Sequence, residues 1–421
     1  MPSRRVYIPK PDGRQRPLGI AALEDKIVQR TVGDVLSAIY EEDFLGFSYG
    51  FRPGRGAHDA LDALSVGLTR RKVNRVLDAD IRGFFDTIDH KWMLRFIEHR
   101  IADPRILRLV RKWLRAGVSE DGKWSSTRVG TPQGAVISPL LANVYLHYVL
   151  DQWAHHWRHK RACGDVIIVR YADDFVIGFQ HRLEAKRFLV DLKLRLEQFG
   201  LALHPEKTRL IEFGRFAGDT RRQRRKGKPE TFDFLGFTHI CAKTRIRKRF
   251  HVWRKTIKKR LVAFLARVKV VLRRRMHDPI EEVGEWLGRV VLGYYRYHAV
   301  PGNCGRAEHG ARRTEPILAE STPTTWSEAT HQLGALSPHR QKLDTKAQSN
   351  ASLPKRAFLR QTPKVGARCG NSARRDLCGG PLERAVPTAP DTSKVLDANG
   401  EPMVVYHDLP AKSPKREKRQ A

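Results

Sequence analysis

The chain has 421 residues, 41% of them hydrophobic, which is enough for two or three domains with a sizeable core and excludes a small disulfide-stapled module. Its 79 lysines and arginines against 45 acidic residues give a formal charge of +34, far beyond what solubility requires, and point to a polyanionic partner, nucleic acid first. No segment offers the roughly 18 continuous apolar residues of a spanning helix, Met1-Pro2-Ser3-Arg4-Arg5 has no apolar signal core, and five scattered cysteines support neither a disulfide framework nor a zinc site, so a cytosolic protein without a membrane partner is expected.

Residues 1 to about 75 read as a loop-rich, basic lobe of short strands, with Pro11-Asp12-Gly13 as a hairpin turn. From Val76 the alternation of Val-Leu-Asp-Ala-Asp-Ile predicts a strand, followed by helical spacing around Trp92, Phe96 and Ile97. Val166-Ile167-Ile168-Val169 and Phe175-Val176-Ile177 read as a strand pair around a tight turn containing Ala172-Asp173-Asp174. An amphipathic helix with Phe188, Leu189, Leu192, Leu196 and Phe199 on one face follows and stops at Gly200. Apolar residues from Trp253 to Leu272 recur at helical intervals among Arg254, Lys258 and Lys259, and a second helix runs from Val283 to Tyr297. Beyond about Asn303 the composition turns to Ser, Thr, Pro, Ala and Arg without a helical or strand period, as in a poorly ordered basic tail.

Two acidic features stand out. Alternation places Leu77, Ala79 and Ile81 on the buried face of their strand and Asp78 and Asp80 together on the other. Close carboxylates on a strand repel one another unless a cation lies near them. Asp173 and Asp174 occupy the turn between two apolar strands, a position that turn chemistry alone also explains. An acidic strand, an acidic hairpin and this net charge together suit two-metal phosphoryl transfer, and hard oxygen ligands favour Mg2+ over zinc.

Tyr171-Ala172-Asp173-Asp174 resembles the signature box of reverse transcriptases, and its surroundings are similar to the group II intron-encoded maturase branch. The likeness rests on an ordered series from residue 6 to 303. It comprises Ile8-Pro9-Lys10-Pro11-Asp12-Gly13, Arg16-Pro17-Leu18-Gly19-Ile20 and Ser48-Tyr49-Gly50-Phe51-Arg52-Pro53-Gly54-Arg55. Then come Asp78-Ala79-Asp80-Ile81-Arg82-Gly83-Phe84-Phe85, Gly130-Thr131-Pro132-Gln133-Gly134, His204-Pro205-Glu206-Lys207-Thr208 and Phe234-Leu235-Gly236-Phe237. The resemblance implies metal ligation by Asp80, Asp173, Asp174 and the Ile81 carbonyl. It implies nucleotide contacts at Lys10, Arg16, Gly83, Phe84, Phe85, Gln133 and Lys207, with Phe85 against the sugar and Lys207 suited to protonating pyrophosphate. Nucleic-acid contacts are expected from Arg52, Arg55, Arg254, Lys258 and Lys259.

The chain starts almost at the Ile-Pro-Lys motif, where the family has an N-terminal extension, which reads as a shortened start. After Asn303 the family's helical domain is not recognisable, as a frameshift or degenerate end would produce, and no Cys/His endonuclease module is present in the sequence.

The expected fold is α+β: a right-hand polymerase with fingers over 1–75, a palm with part of the fingers over 76–245, a partial helical thumb over 246–303, and a divergent tail over 304–421. The expected activity is RNA-directed DNA polymerisation for a group II intron, with two Mg2+ ions, deoxynucleoside triphosphates, an intron RNA template and a DNA primer or target, and with splicing assistance, in a bacterial cytoplasmic ribonucleoprotein. The alternatives are a noncatalytic RNA-binding splicing cofactor, a truncated inactive remnant, another reverse transcriptase lineage (retron, diversity-generating or phage-defence) and, last, a structural basic protein. An intact acidic set argues for the enzyme, since a pure RNA binder has no need of it.

Overall fold

The computed structural model describes residues 2–9, 15–120, 123–125, 129–131, 134–244 and 249–303. Lys10, Gln133, the Pro11-Asp12-Gly13 turn and the basic tail lie outside these described residues, as does the side chain of Arg16.

The chain opens with strands β1 (Ser3–Pro9) and β2 (Gln15–Ile20), an antiparallel pair in which Ile8 stands opposite Arg16. Two helices then occupy the stretch expected to be loop-rich: α1 (Leu23–Glu41) and α2 (Ala57–Arg70). The stripe of α1 is hidden in the sequence because Leu23, Ile27 and Val35 are apolar yet exposed, while Val32, Leu36 and Tyr40 face the core. In α2 the inner face is built from small residues, Ala60, Ala63 and Gly67, between Leu61, Leu64 and Leu68.

Strand β3 (Arg75–Asp80) leads into a helical turn, α3 (Phe84–Thr87), and helices α4 (His90–Glu98) and α5 (Pro104–Arg115). Short strands β4 (Val118–Glu120) and β5 (Lys123–Ser125) extend the first sheet, in the order β2-β1-β4-β5. Next, α6 (Ser138–Leu146) passes through a fully buried π-helical turn, His147–Asp151, into α7 (Gln152–Lys160). Strands β6 (Val166–Tyr171) and β7 (Asp174–Phe179), helix α8 (Arg182–Glu197) and strand β8 (Arg209–Glu212) complete the central sheet, ordered β6-β7-β3-β8 and antiparallel throughout.

Both faces of that sheet are covered, which is why its strands β6 and β7 carry the apolar runs 166–169 and 175–177. Leu77, Ala79, Ile168, Phe175 and Ile177 pack into one core with Phe188 and Leu192 of α8 and with the α6–α7 rod. Val76, Ile167, Val169 and Val176 pack into another with Leu61, Leu64 and Leu68 of α2.

After α9 (Ala217–Gln223), strands β9 (Phe232–Phe234), β10 (Phe237–Lys243) and β11 (Phe250–Thr256) form a third sheet. Helices α10 (Lys258–Arg274) and α11 (Ile280–His298) follow and bury Val268 and Leu272 against Val283 and Leu287. The helix expected from Trp253 therefore starts only at Lys258: Phe250–Thr256 is a strand whose full length pairs with β10, and that ladder overrides the local helical spacing. Among the described residues no helix is long and apolar enough to cross a membrane.

Candidate active site

The sheet brings the acidic pairs together. Asp80, the last residue of β3, stands directly opposite Asp174, the first residue of β7, and Tyr171 pairs with Asp174 across the hairpin that holds Ala172 and Asp173. Asp78 lies two residues back on the same face, bonded to Arg209 at 3.0 Å. Carboxylates facing one another across a ladder have Cβ atoms only about 5 Å apart, where like charges are destabilising. That repulsion is visible in Asp174, whose carboxyl is pushed up to about 6 by burial in its surroundings and by Asp173 and Asp80, with Lys207 opposing. Because Asp174 itself is exposed to solvent, repulsion is the weightier of the two causes. Burial likewise raises the Asp78 carboxyl, against the pull of Arg209.

Lys207 forms an ion pair with Asp80. The backbone joins the same segment to the end of β3: the amide of His204 donates to the carbonyl of Asp80, and that of Arg82 donates to Ala202, each at 2.8 Å. In such antiparallel pairing the Ile81 carbonyl points to the other side of its strand, the side from which β7 approaches. As the side chains lie, no three carboxylate, imidazole or thiolate groups among the described residues converge at ion-binding distance. Even so, the donor set is two carboxylates in register, a third beside them and a backbone carbonyl, all hard oxygens under mutual repulsion, and this chemistry fits a divalent cation such as Mg2+.

The turn carrying the aspartates is held from beneath by residues that sequence reasoning missed. Ala172 is left-handed at φ 56, a conformation that costs a non-glycine residue about 1–2 kcal/mol. Its carbonyl accepts from Arg170 at 2.9 Å, so the side chain two residues earlier folds back to fix the turn. Arg170 is wholly buried and also donates to both oxygens of Asp151 (2.7 and 2.5 Å), to Asn143 Oδ1 (3.0 Å) and to Ser48 Oγ (2.7 Å). The π-helical turn ending at Asp151 is what places that carboxylate inside. Asn143 in turn donates to the Gly50 carbonyl at 2.7 Å, and a Cβ on Gly50 would lie 2.3 Å from the amide nitrogen of Ala172. The only hint in the sequence is an Arg inside an apolar strand, Val169-Arg170-Tyr171, which demands a buried anion somewhere.

Asp80, Asp174 and Lys207 line one cleft, and a second, lined by Arg5, Pro17, Leu18, Phe85, Val129 and Thr131, lies between the β1–β2 hairpin and α3. The amide of Thr131 donates to the Phe85 carbonyl at 2.7 Å, and Gly130, at φ 87, sits where a Cβ would strike the Phe85 carbonyl at 2.8 Å. Gly130 and Thr131 are thereby locked onto the backbone of Phe85. Gly83, exposed, caps the start of α3.

Three expected contacts are corrected. Phe84 is buried in the core against Tyr145 and Phe85, so its ring does not face the cleft. The Arg52 guanidinium is buried and bonded to Glu41 and to the carbonyls of Leu45 and Ser48, and so braces its own loop. Arg254 is buried on β11 and paired with Asp62 at 2.5 Å. Arg55 is half-buried and donates to the Gly46 carbonyl at 2.7 Å, whereas Lys258 and Lys259 are exposed in the first turn of α10.

Comparison with known proteins bears on this geometry. Residues 8–239, more than half of the chain, match the family model described as reverse transcriptase (RNA-dependent DNA polymerase). The chain is 37% identical to Protein YkfC of Escherichia coli (strain K12) over 44% of this chain and 57% of that protein. It is 43% identical to the group II intron-encoded protein LtrA of Lactococcus lactis subsp. cremoris over 35% of this chain and 24% of that protein. An uncharacterized 91 kDa protein in a cob intron of Schizosaccharomyces pombe is 41% identical over 38% of this chain and 19% of its own length. The matches thus span 57% of the first relative and a quarter or less of the other two. With this α+β, right-hand architecture and a match over residues 8–239, the chain belongs to the reverse transcriptase (RNA-dependent DNA polymerase) family and resembles the proteins that group II introns encode.

Proposed function

We propose that the protein is an RNA-directed DNA polymerase of a group II intron, which adds deoxynucleotides to a DNA primer on an intron RNA template and assists splicing of that RNA. The observation that carries this reading is the in-register pair of Asp80 and Asp174 beside Asp173, at the open end of a buried antiparallel sheet. Asp80, Asp173, Asp174 and the Ile81 carbonyl are the groups to hold two Mg2+ ions. When bound, such ions supply activation of the primer 3′-hydroxyl and charge stabilisation at the leaving pyrophosphate.

The chain's own residues supply the rest. The Arg170 network holds the backbone of the turn that carries Asp173 and Asp174, which limits the backbone reorganisation the reaction requires. Phe85, which lines the cleft beneath the β1–β2 hairpin, is assigned to the space beside the sugar 2′ position. Lys207, paired with Asp80, is suited to give its proton to pyrophosphate. Lys10, Arg16 and Gln133 are assigned to the incoming nucleotide, and Lys258 and Lys259 to phosphates of the primer duplex.

The test is extension of a DNA primer annealed to a short RNA template, with deoxynucleoside triphosphates and Mg2+. Extension that stops on chelation supports the reading. Tight RNA binding with no extension sinks it and leaves a noncatalytic splicing cofactor.

A further inference from the structure

A second basic surface lies away from the aspartates. Between β8 and β9, the run Arg221-Arg222-Gln223-Arg224-Arg225-Lys226-Gly227-Lys228 places six cations in eight residues. Backbone bonds shape it into a defined turn: Arg224 donates to Thr220, Arg225 to Arg222 and Lys226 to Arg221. Arg221 faces inward and pairs with Glu230 at 3.6 Å, while Arg224 reaches Glu212 at 3.8 Å. Arg222, Arg225, Lys226 and Lys228 are exposed, and none forms an ion pair among the described residues.

The turn is continuous with the end of α2. Arg215 donates to the Thr69 carbonyl at 3.1 Å, and Gly214 packs so closely on the Val73 carbonyl that a Cβ there would lie 1.9 Å from it. Arg70 and Lys72 are exposed on that neighbouring segment, and Phe216 stands 54% exposed between the two sets of cations. The anions on and beside this face are Asp219, Glu230 paired with Arg221, Glu212 paired with Arg75 and Arg224, and Asp165 bonded to Arg71 and to the Lys72 amide.

Position separates this face from the reaction. On β3, Asp80 meets Asp174 at one end, and Arg75 meets Glu212 at the other. The five residue steps from Arg75 to Asp80 span about 17 Å, and α9 with its basic turn follows beyond Glu212. None of these cations lines the cleft that holds Asp80 and Asp174.

We propose that this face is a second RNA-binding surface, which takes the phosphate backbone of folded RNA flanking the copied segment while template and primer occupy the cleft. The choice of RNA rests on the reverse transcriptase reading above, because a template longer than the cleft must lie elsewhere on the protein. A bilayer would call for an apolar stripe beside the cations, whereas a single exposed ring amid fixed charges suits an unstacked base.

The test compares the native chain with the fourfold variant Arg222→Gln, Arg225→Gln, Lys226→Gln, Lys228→Gln and with the double variant Arg222→Gln, Lys228→Gln. Binding of a labelled 20-base-pair RNA hairpin is followed against KCl concentration with the cleft saturated by a short RNA–DNA template–primer. The fourfold variant is expected to bind the hairpin on the order of tenfold more weakly, with a salt slope lower by about 3, and the double variant to lose about half that slope. Primer extension on the short template is expected to stay within twofold of native. Hairpin affinity and slope equal to native would overturn the proposal, as would unchanged hairpin binding with lost binding to anionic phospholipid vesicles. A native chain that extends no primer fails the polymerase reading instead, and the hairpin measurement still decides whether this face binds RNA.

Discussion

Arg170 and Asp151 form a fully buried, two-pronged ion pair, with contacts of 2.7 and 2.5 Å, directly beneath the turn that carries Asp173 and Asp174. Burying such a pair contributes little net stability, but removing one partner strands the other charge in the interior. Asp151→Ala is therefore expected to destabilise the fold by about 3–5 kcal/mol in urea denaturation. Ser48→Ala, which removes one of the four side chains and carbonyls that Arg170 contacts, costs about 1 kcal/mol. A loss below 1 kcal/mol for Asp151→Ala would mean that water reaches the pair.

Gly50 tests the coupling of that support to chemistry. A methyl group there meets the amide of Ala172 at 2.3 Å and displaces the aspartate turn, since the obstacle is backbone. Displacing reacting groups by about 1 Å lowers rate on the order of 100-fold, so Gly50→Ala should lose primer extension by that order while keeping template–primer affinity. Near-native extension would show that the turn is positioned by other means.

Phe85 is predicted to set sugar discrimination. Phe85→Ala opens the cleft beside the β1–β2 hairpin, and ribonucleotide incorporation relative to deoxynucleotide should rise on the order of 10–200-fold. An unchanged ratio in competition assays would return Phe85 to a packing role.

Stability should fall in mild acid for a reason unrelated to the aspartates. Burial lowers His147, His155 and His239 to about 3 and His298 to about 4. Below pH ~6.5 the unfolded chain binds protons that the folded chain refuses, so stability, complete above that pH, declines as pH drops toward 4. His239 stacks on Phe232 at 4.7 Å and makes no well-formed side-chain hydrogen bond. His239→Phe should hold or raise stability at pH 7 and reduce the acid slope by up to about 1.4 kcal/mol per pH unit. An identical slope in thermal melts across this range would contradict the assignment.

What the sequence disclosed follows from how each signal is encoded. The acidic strand, the hairpin and helices α4, α8 and α11 are legible because period and punctuation are local, and the ordered motifs named the family's architecture. Helix α1 was hidden by apolar residues on its outer face, and β11 by helical spacing that a long-range ladder overrode. The roles of Arg52 and Arg254 were unreadable because their partners, Glu41 and Asp62, become neighbours only in the fold. The same holds for Arg170, whose ligands come from four segments.

The central claim is that Asp80, Asp173 and Asp174 act together as the metal-holding set of a polymerase. Single-turnover addition of one deoxynucleotide to a DNA primer on an RNA template, with saturating Mg2+, tests it most directly when native protein is compared with Asp173→Ala. The account predicts Mg2+-dependent addition by the native chain and a loss of at least about a thousandfold in the variant, with template–primer affinity within a few-fold. Addition by Asp173→Ala at the native rate would contradict it.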